Sequence, residues 1–247
     1  MMSKNQTYAL VAGGCLLALC AVGALVIGVL FLAPKFTNQI NPIQKTVNVT
    51  ESSPSNADGN SLGDASAPIH MEEFSDFQCP FCEHFHAQTE PALVEQYVNT
   101  GKVYFTYRSA GNWVSGNIGG GKTESQDAAA AAYCAEDQGK FWEMHDVLFA
   151  NVLGEDAGSF TDERLATLAQ KAGLDMSAFN ECYSSGKYKD RVQQDYKDAI
   201  ASGVQGTPSF IVTYTVNGEI KTKLIEGAQP FGAFQQELDA ILKETGQ

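Results

Sequence analysis

The sequence predicts an α/β domain in which a βαβ half and a ββα half are separated by a helical insertion, with a transmembrane helix in front. Apolar residues alternate over 102–107, which indicates a strand, and Asn217–Gly218 joins two further period-two runs as a hairpin turn. Thr161 and Asp175 precede apolar residues at helical spacing and are typical N-caps. The predicted order is a strand over 69–74, a helix from 79 towards 97, a strand over 102–107, helices over about 123–202, strands over 209–216 and 219–225, and a helix over 231–242.

An uncharged segment near the N-terminus predicts a membrane anchor. Residues 9–33 carry no charge, and as a helix rising ~1.5 Å per residue they are long enough to cross a bilayer. A cleaved signal peptide is one alternative, although its apolar region usually spans only about 7–15 residues. A lipoprotein is another, since Cys15 and Cys20 lie here, but their neighbours match a lipobox poorly. We therefore expect an uncleaved, single-pass anchor.

The anchor divides the chain into unequal parts. Residues 1–8 are expected to form a short cytoplasmic segment. Residues 34–63 are rich in Asn, Ser, Thr and Pro without an apolar period, which predicts a flexible linker. The folded domain is expected over 64–247, with the helical insertion at about 113–203.

The charge balance excludes one class of partner. The chain has 16 basic and 29 acidic residues, and its formal net charge is −13. This charge would repel a phosphate backbone, and the basic residues form no cluster that could override the repulsion. Nucleic acid is therefore not an expected partner.

The motif Cys79-Pro80-Phe81-Cys82 lies where the first strand gives way to a helix. Unpaired N–H groups at a helix N-terminus favour a thiolate, so Cys79 is predicted to be the acidic nucleophile. Cys82, one turn inside the helix, should be less exposed and able to attack a mixed disulfide formed by Cys79. Pro80 suits the first helical turn. An inert structural disulfide is the alternative.

A zinc half-site is a second alternative, because His84 and His86 follow the motif closely. Residues two apart on a helix point in divergent directions. Both imidazoles could therefore hardly join Cys79 and Cys82 on one ion. No metal is predicted.

Three runs in the same order resemble one family. Phe74–His86 contains the motif, and Gly139–Trp142 and Gly206–Phe210 follow it. Together they are similar to the DsbA-like thiol:disulfide oxidoreductases, from about residue 62 to the C-terminus. The resemblance implies a thioredoxin fold. Together with the anchor predicted over 9–33, it gives a domain tethered to the cell membrane with its catalytic part outside the cytoplasm. It also implies exported protein thiols or disulfides as clients, a membrane quinone-linked enzyme as reoxidant, and no cofactor.

By the same resemblance, Pro208 would be a cis proline facing the Cys79–Cys82 pair. Thr207 would offer backbone hydrogen bonds to an extended substrate segment, and Pro80 and Phe81 would contribute to substrate binding. A cis X-Pro bond makes a tight turn, and this one would lead directly into a strand. A trans proline at the strand start is the alternative on sequence alone.

A further pair of cysteines, Cys134 and Cys182, falls in separate predicted helices of the insertion. An even pair in a chain with an apparent export anchor predicts a structural disulfide. Two buried free thiols are the alternative.

Glu73 lies six residues before Cys79 on the first predicted strand. Alternation places it on one face with the apolar Ile69 and Met71, so burial should raise its pKa. The family resemblance implies an acid beneath the cysteines that takes or returns the Cys82 proton. A solvated carboxylate, or one paired with a lysine, is the alternative.

The run Gly116–Thr123 satisfies the pattern of a nucleotide-binding P-loop. The preceding strand ends near Tyr107, however, and no strand with a magnesium-binding Asp follows. Thr123 and Gln126 would form a capping box for the next helix, which explains the residues without a ligand.

The leading hypothesis is an enzyme that forms disulfides by exchange at Cys79–Cys82. A reductase or isomerase of the same fold is the first alternative, since isomerase-type members of the family also carry a threonine at the position of Thr207. A redox-inert peptide-binding module is the second.

Overall fold

The computed structural model describes residues Asn56–Gln247, so segments 1–8 and 9–33 lie outside the described residues. Within 56–247, no helix has the length and apolar character needed to cross a membrane. The strands are β1 (Ala57–Asp58), β2 (Ser61–Leu62), β3 (Ile69–Ser75), β4 (Val103–Ser109), β5 (Ser209–Val216) and β6 (Glu219–Glu226). The helices are α1 (Pro80–Gln88), α2 (Glu90–Leu93), α3 (Trp113–Ile118), α4 (Glu124–Glu136), α5 (Phe141–Phe149), α6 (Asp162–Lys171), α7 (Met176–Ser185), α8 (Lys189–Ala201) and α9 (Phe231–Thr245).

One mixed sheet runs through the domain in the order β1-β2-β4-β3-β5-β6. β3 and β4 are parallel, whereas β5 runs antiparallel to both β3 and β6. α1 connects the parallel pair, and α9 follows the β5–β6 hairpin, so the predicted βαβ and ββα halves are confirmed. The rings of Phe85, Phe210 and Phe234 pack together from α1, β5 and α9, with centroids 4.6 to 5.5 Å apart.

The folded domain begins earlier than the sequence predicts. The linker was expected to reach residue 63, but β1 and β2 form a hairpin that joins the edge of the sheet. Leu62 is buried opposite Phe105, and the hydroxyls of Ser61 and Thr106 hydrogen-bond at 2.8 Å. A single buried leucine in a polar run carries no periodic signal, which is why the prediction of a flexible linker up to residue 63 was wrong.

The helix that begins at the motif is broken before Tyr97, which the sequence prediction missed. α1 ends at Gln88, α2 restarts at Glu90, and a single π-helical turn follows over Val94–Val98. Pro91 has no N–H to donate to the carbonyl four residues earlier, so the hydrogen-bond ladder is interrupted there. The Thr89 hydroxyl at the break donates instead to the Gln229 carbonyl at 3.1 Å.

The insertion is a helical layer built around α4, which packs against α5, α6, α7 and α8. Its buried face is rich in alanine, and these small side chains let neighbouring helices approach closely. Cys134 of α4 and Cys182 of α7 are bonded, so the predicted disulfide is confirmed. Thr161 and Asp175 accept hydrogen bonds from backbone N–H groups at the starts of α6 and α7, as predicted.

The glycine-rich run at 116–123 does not follow a strand. It includes the end of α3 and the turn into α4, with Gly119, Gly120 and Gly121 all at positive φ. The predicted capping box is wrong, because the Thr123 side chain makes no cap and the Gln126 N–H donates to the Asn112 side chain at 3.4 Å. The hydrogen bond between Gln126 and Asn112 thus takes the place of the capping box predicted between Thr123 and Gln126.

Candidate active site

Cys79 is the N-cap of α1. Its backbone is extended, with φ −74° and ψ 121°, and Pro80 is the first helical residue. The N–H groups of the first turn have no intrahelical acceptors, so the sulphur lies at the positive end of the helix dipole. Cys79 and Cys82 are both free thiols, which makes this the reduced form of the pair.

The surroundings of Cys79 favour its thiolate. Hydrogen bonding from the Cys82 thiol is the largest effect, and it outweighs the opposing effect of burial. The Thr207 side chain and the N–H groups of the first turn act in the same direction, and together they lower the pKa of Cys79 to about 6. A sulphur with this pKa is mostly ionised at neutral pH and is both a good nucleophile and a good leaving group.

Cys82 has the opposite character. Burial raises the pKa of its thiol well above the usual value, and the hydrogen bond to Cys79 raises it further. The Asp76 N–H donates to the Cys82 sulphur at 3.5 Å. Cys82 therefore holds its proton unless a neighbouring group removes it, and solvent-borne thiols cannot reach it directly.

The Thr207–Pro208 peptide bond is cis, as the family resemblance implied. The Cys79 thiol donates to the Thr207 carbonyl oxygen at 3.3 Å, so the start of β5 lies against the reactive sulphur. Phe81, between the two cysteines, is 65% exposed. The structure thus brings four of the sequence-predicted site residues to one surface: Cys79, Phe81, Thr207 and Pro208.

An open groove of about 470 Å³ adjoins this surface. Cys79, Phe81 and Thr207 form one side of it, and residues of α3, including Trp113 and Ile118, form the other. Ile118 is half exposed. No motif marked α3 as part of the site, because its apolar residues precede a glycine run and show no clear period.

Glu73 lies on β3 and is only 1% exposed, so the alternative of a solvated carboxylate is excluded. One of its carboxylate oxygens has no hydrogen-bond partner among the described residues. Burial, followed by the charge of Glu90, raises the pKa of Glu73 to about 8. The predicted burial and raised pKa are confirmed. A neutral carboxylic acid beside Cys82 can donate a proton to a departing thiolate or accept one from an attacking thiol.

This arrangement agrees with the comparison to known families. A sequence model of the thioredoxin family matches residues 55–231, which is most of the chain. The chain belongs to the thioredoxin family.

Three similar proteins are informative about this thioredoxin-family chain. It is 35% identical over 150 residues to "Na(+)/H(+) antiporter NhaA 3" of Salinispora tropica, spanning 61% of this chain but only 21% of the antiporter. It is 28% identical over 187 residues to "Probable disulfide bond formation protein D" of Bacillus anthracis, spanning 74% of this chain and 78% of that protein. The crystal structure of Wolbachia pipientis alpha-DsbA1 has a TM-score of 0.63 and 23% identity, covering 75% of this chain and 92% of that one. The fold is therefore that of DsbA-type proteins.

Tyr107 is a buried polar neighbour that carries no signal in the sequence beyond its place in an alternating strand. It pairs with Glu73 across β3 and β4, and within residues 56–247 its hydroxyl has no hydrogen-bond partner. Burial raises the pKa of Tyr107 well above its usual value. Glu73 thus has a neutral hydroxyl on the adjacent strand.

The contact between His86 of α1 and His145 of α5 is a second feature that the sequence did not predict. His86 Nδ1 and Glu90 Oε2 are 3.2 Å apart, and the ring of His145 on α5 lies 4.9 Å from that of His86. Burial disfavours the imidazolium, but the carboxylates of Glu90 and Asp146 outweigh it and raise the pKa of His86 to about 9. His84, by contrast, is exposed and apart from this cluster.

Proposed function

We propose that this thioredoxin-family chain is a thiol:disulfide oxidoreductase that donates disulfides to exported proteins. The observation that carries the proposal is the Cys79 sulphur at the N-terminus of α1, 3.3 Å from the Thr207 carbonyl and next to the buried Cys82. The lowered pKa of Cys79 stabilises the reduced form of the pair, and a stabilised reduced form makes the corresponding disulfide a stronger oxidant.

The exchange begins from the oxidised pair. A client thiolate attacks Cys79, the Cys79–Cys82 bond breaks, and Cys82 leaves with the bonding electrons. Neutral Glu73 supplies the proton that Cys82 requires, since its raised pKa keeps it protonated near neutral pH. A second client thiolate then attacks the mixed disulfide, forming the client disulfide and releasing Cys79 as a thiolate. The client loses two electrons and the pair gains two.

The client segment would bind along the start of β5. Thr207 precedes the cis Pro208 there, and an extended peptide can hydrogen-bond to the backbone beside the reactive sulphur. Exposed Phe81 and the groove formed with α3 would hold apolar side chains that flank the client cysteine. The role of Pro80 is to fix the start of α1 next to this surface.

The cellular setting is part of the same proposal. The Cys134–Cys182 disulfide is typical of proteins in oxidising compartments, and the apolar segment 9–33 would tether the domain on the outer side of the membrane. The name of the Bacillus relative, a probable disulfide bond formation protein, supports the oxidising direction. A membrane quinone-linked enzyme would then reoxidise Cys79–Cys82.

Thr207 favours the second candidate, a reductase or isomerase of the same fold, because a threonine at this position resembles that of isomerase-type relatives. Glu73 serves this direction equally well, since it would accept the Cys82 proton when Cys82 attacks a mixed disulfide.

The test is disulfide transfer from the oxidised full-length chain to a reduced peptide with two cysteines, followed by mass spectrometry. We expect one disulfide transferred per chain, no transfer by Cys79→Ser, and a persistent mixed disulfide through Cys79 when the reduced Cys82→Ala variant meets an oxidised peptide. Peptide binding without any change in its redox state would instead establish a redox-inert binding module.

A further inference from the structure

Three potential metal ligands come together on the side of the active-site helix that faces α5. His86 and Glu90 come from α1 and the start of α2, and His145 comes from α5. One donor atom from each lies within 4.8 Å of the other two. His86 Nδ1 and Glu90 Oε2, 3.2 Å apart, already have the spacing of neighbouring ligands on a tetrahedral ion with bonds of about 2.0–2.1 Å.

His145 provides an independent observation. It is completely buried, and its Nε2 atom has no hydrogen-bond partner in the described part of the chain. Its Nδ1 atom is 2.9 Å from the Asp146 carboxylate. An Nδ1–H that donates to this carboxylate fixes the tautomer and leaves a free lone pair on Nε2, which is the arrangement found in metal-binding histidines. A buried polar atom without a partner is otherwise costly.

The two imidazoles are held in place by a shared neighbour. The Phe149 ring stacks on His86 and makes an edge contact with His145, with centroids 4.9 Å apart in each case. His86 is 24% exposed on its side chain, so the cluster can be reached from solvent on that side. The site therefore combines two imidazoles packed on a common ring with an entry path from solvent.

We propose that His86, Glu90 and His145 bind zinc or a similar borderline divalent cation. Two imidazoles and one carboxylate are the ligand types that zinc accepts, whereas magnesium and calcium prefer oxygen ligands alone. Asp146 would accept a hydrogen bond from His145 Nδ1 and so orient the ring. Since 4.8 Å exceeds the separation of adjacent tetrahedral ligands, about 3.4 Å, the most distant donors must approach by about 1.4 Å on binding.

Such a site would join the active-site helix to the insertion. His86 is one turn beyond Cys82 on α1, and His145 belongs to α5. Bound metal would thus crosslink the two parts without using either cysteine. This inference is independent of the proposed direction of disulfide exchange.

The test uses the full-length chain with Cys79–Cys82 oxidised and all remaining free thiols alkylated, so that no thiolate can bind the ion. Zinc chloride is titrated by calorimetry, and thermal unfolding is followed with and without zinc. We expect one equivalent to bind and to raise the melting temperature, because the cation binds the folded chain. His86→Asn and Glu90→Gln should each weaken binding at least about tenfold, since even outer-shell partners are worth that much.

The matched control is His84→Asn, which removes an exposed histidine from the same helix. It should bind zinc like the parent chain. Absence of saturable binding to the parent, equal affinity in the folded His86→Asn and Glu90→Gln variants, or an equal loss in His84→Asn would each overturn the proposal. Far-UV circular dichroism establishes that each variant is folded, and the more exposed position of His86 makes its variant the more tolerant of the two.

Discussion

The Cys79 sulphur lies 3.3 Å from the Thr207 carbonyl oxygen, although the two residues are 128 positions apart in sequence. The contact arises because β5 pairs with β3, whose C-terminal end leads into the loop before α1. It joins the nucleophile to the edge along which a client segment would bind. The insertion, which separates these two positions in sequence, is the part of the chain that forms the opposite side of the groove.

The pH dependence of alkylation tests the difference between the two cysteines. In the reduced full-length chain, the rate of Cys79 labelling by iodoacetamide should rise through a pKa of about 6, because its thiolate is stabilised. Cys82 should label slowly throughout, since burial raises its pKa. Peptide mass spectrometry assigns the label to each cysteine. A Cys79 midpoint near the ordinary thiol value of 9.0, or equal labelling of Cys82, would contradict this.

Glu73→Gln should change both stability and exchange. Because the pKa of Glu73 is raised in the folded chain, its favourable contribution is complete below about 4.5 and is lost as the pH rises through about 8. The free energy of unfolding of the reduced parent should therefore fall across this window more steeply than that of the Gln variant. Denaturant titrations at several pH values measure the difference.

In exchange assays, the same variant should slow the step in which Cys82 gains or loses its proton, with little effect on Cys79 alkylation. Stopped-flow kinetics separates these steps. An unchanged exchange rate and pH profile, together with parallel stability curves, would show that Glu73 neither titrates in this range nor takes part.

The Cys134–Cys182 disulfide should be structural. It closes a loop with a sequence separation of 48, and the loop-entropy estimate gives at most about 4 kcal/mol of stabilisation. Replacing both residues with alanine should lower the melting temperature while leaving disulfide transfer by Cys79 nearly intact. Complete loss of exchange in a double variant that remains folded would show that the bond acts on the active site.

Arg108 should contribute far more to stability than an exposed ion pair. It contacts Asp195 at 2.7 Å and Asp198 at 2.5 Å, and the buried Asp195 also accepts from the Tyr133 hydroxyl. Arg108→Met removes the cation that hydrogen-bonds to the buried Asp195 carboxylate, and breaking a buried pair in this way typically costs about 3–5 kcal/mol.

The control for that prediction is Lys187→Met. Lys187 pairs with Asp137 at 2.7 Å, but its side chain is 51% exposed. Its replacement should therefore lower the free energy of unfolding by at most about 1 kcal/mol. Urea unfolding measures the decrease in the free energy of unfolding for both variants. Similar decreases would mean that Arg108 stabilises the buried Asp195 carboxylate less than its burial indicates.

Local sequence patterns predicted the features that depend on neighbouring residues. The strand-to-helix position of Cys79, the N-caps Thr161 and Asp175, and the burial of Glu73 all follow from periodicity and short motifs. The Pro91 break was also readable from sequence, because proline interrupts a helical ladder wherever it occurs in a helix interior.

Three features that depend on distant contacts were not predicted. The pairing of β2 with β4 and the replacement of a capping box by Asn112 are tertiary events without a periodic signal. His86 and His145 likewise come into contact from two helices although they are 59 positions apart in sequence, and no pattern near Cys79 indicates that contact. Long-range proximity was predicted at Cys134 and Cys182, from the even pair of cysteines, and at Pro208, where the family resemblance supplied it.

The reduction potential of the Cys79–Cys82 pair tests the central claim most directly. It is measured by equilibrating the full-length chain with glutathione buffers and trapping the thiols by acid and alkylation. A disulfide donor with a stabilised Cys79 thiolate should have a potential less negative than about −200 mV, towards the value of about −120 mV for strong oxidants. A potential near about −270 mV, typical of thioredoxin-type reductants, would contradict the proposal that the chain donates disulfides.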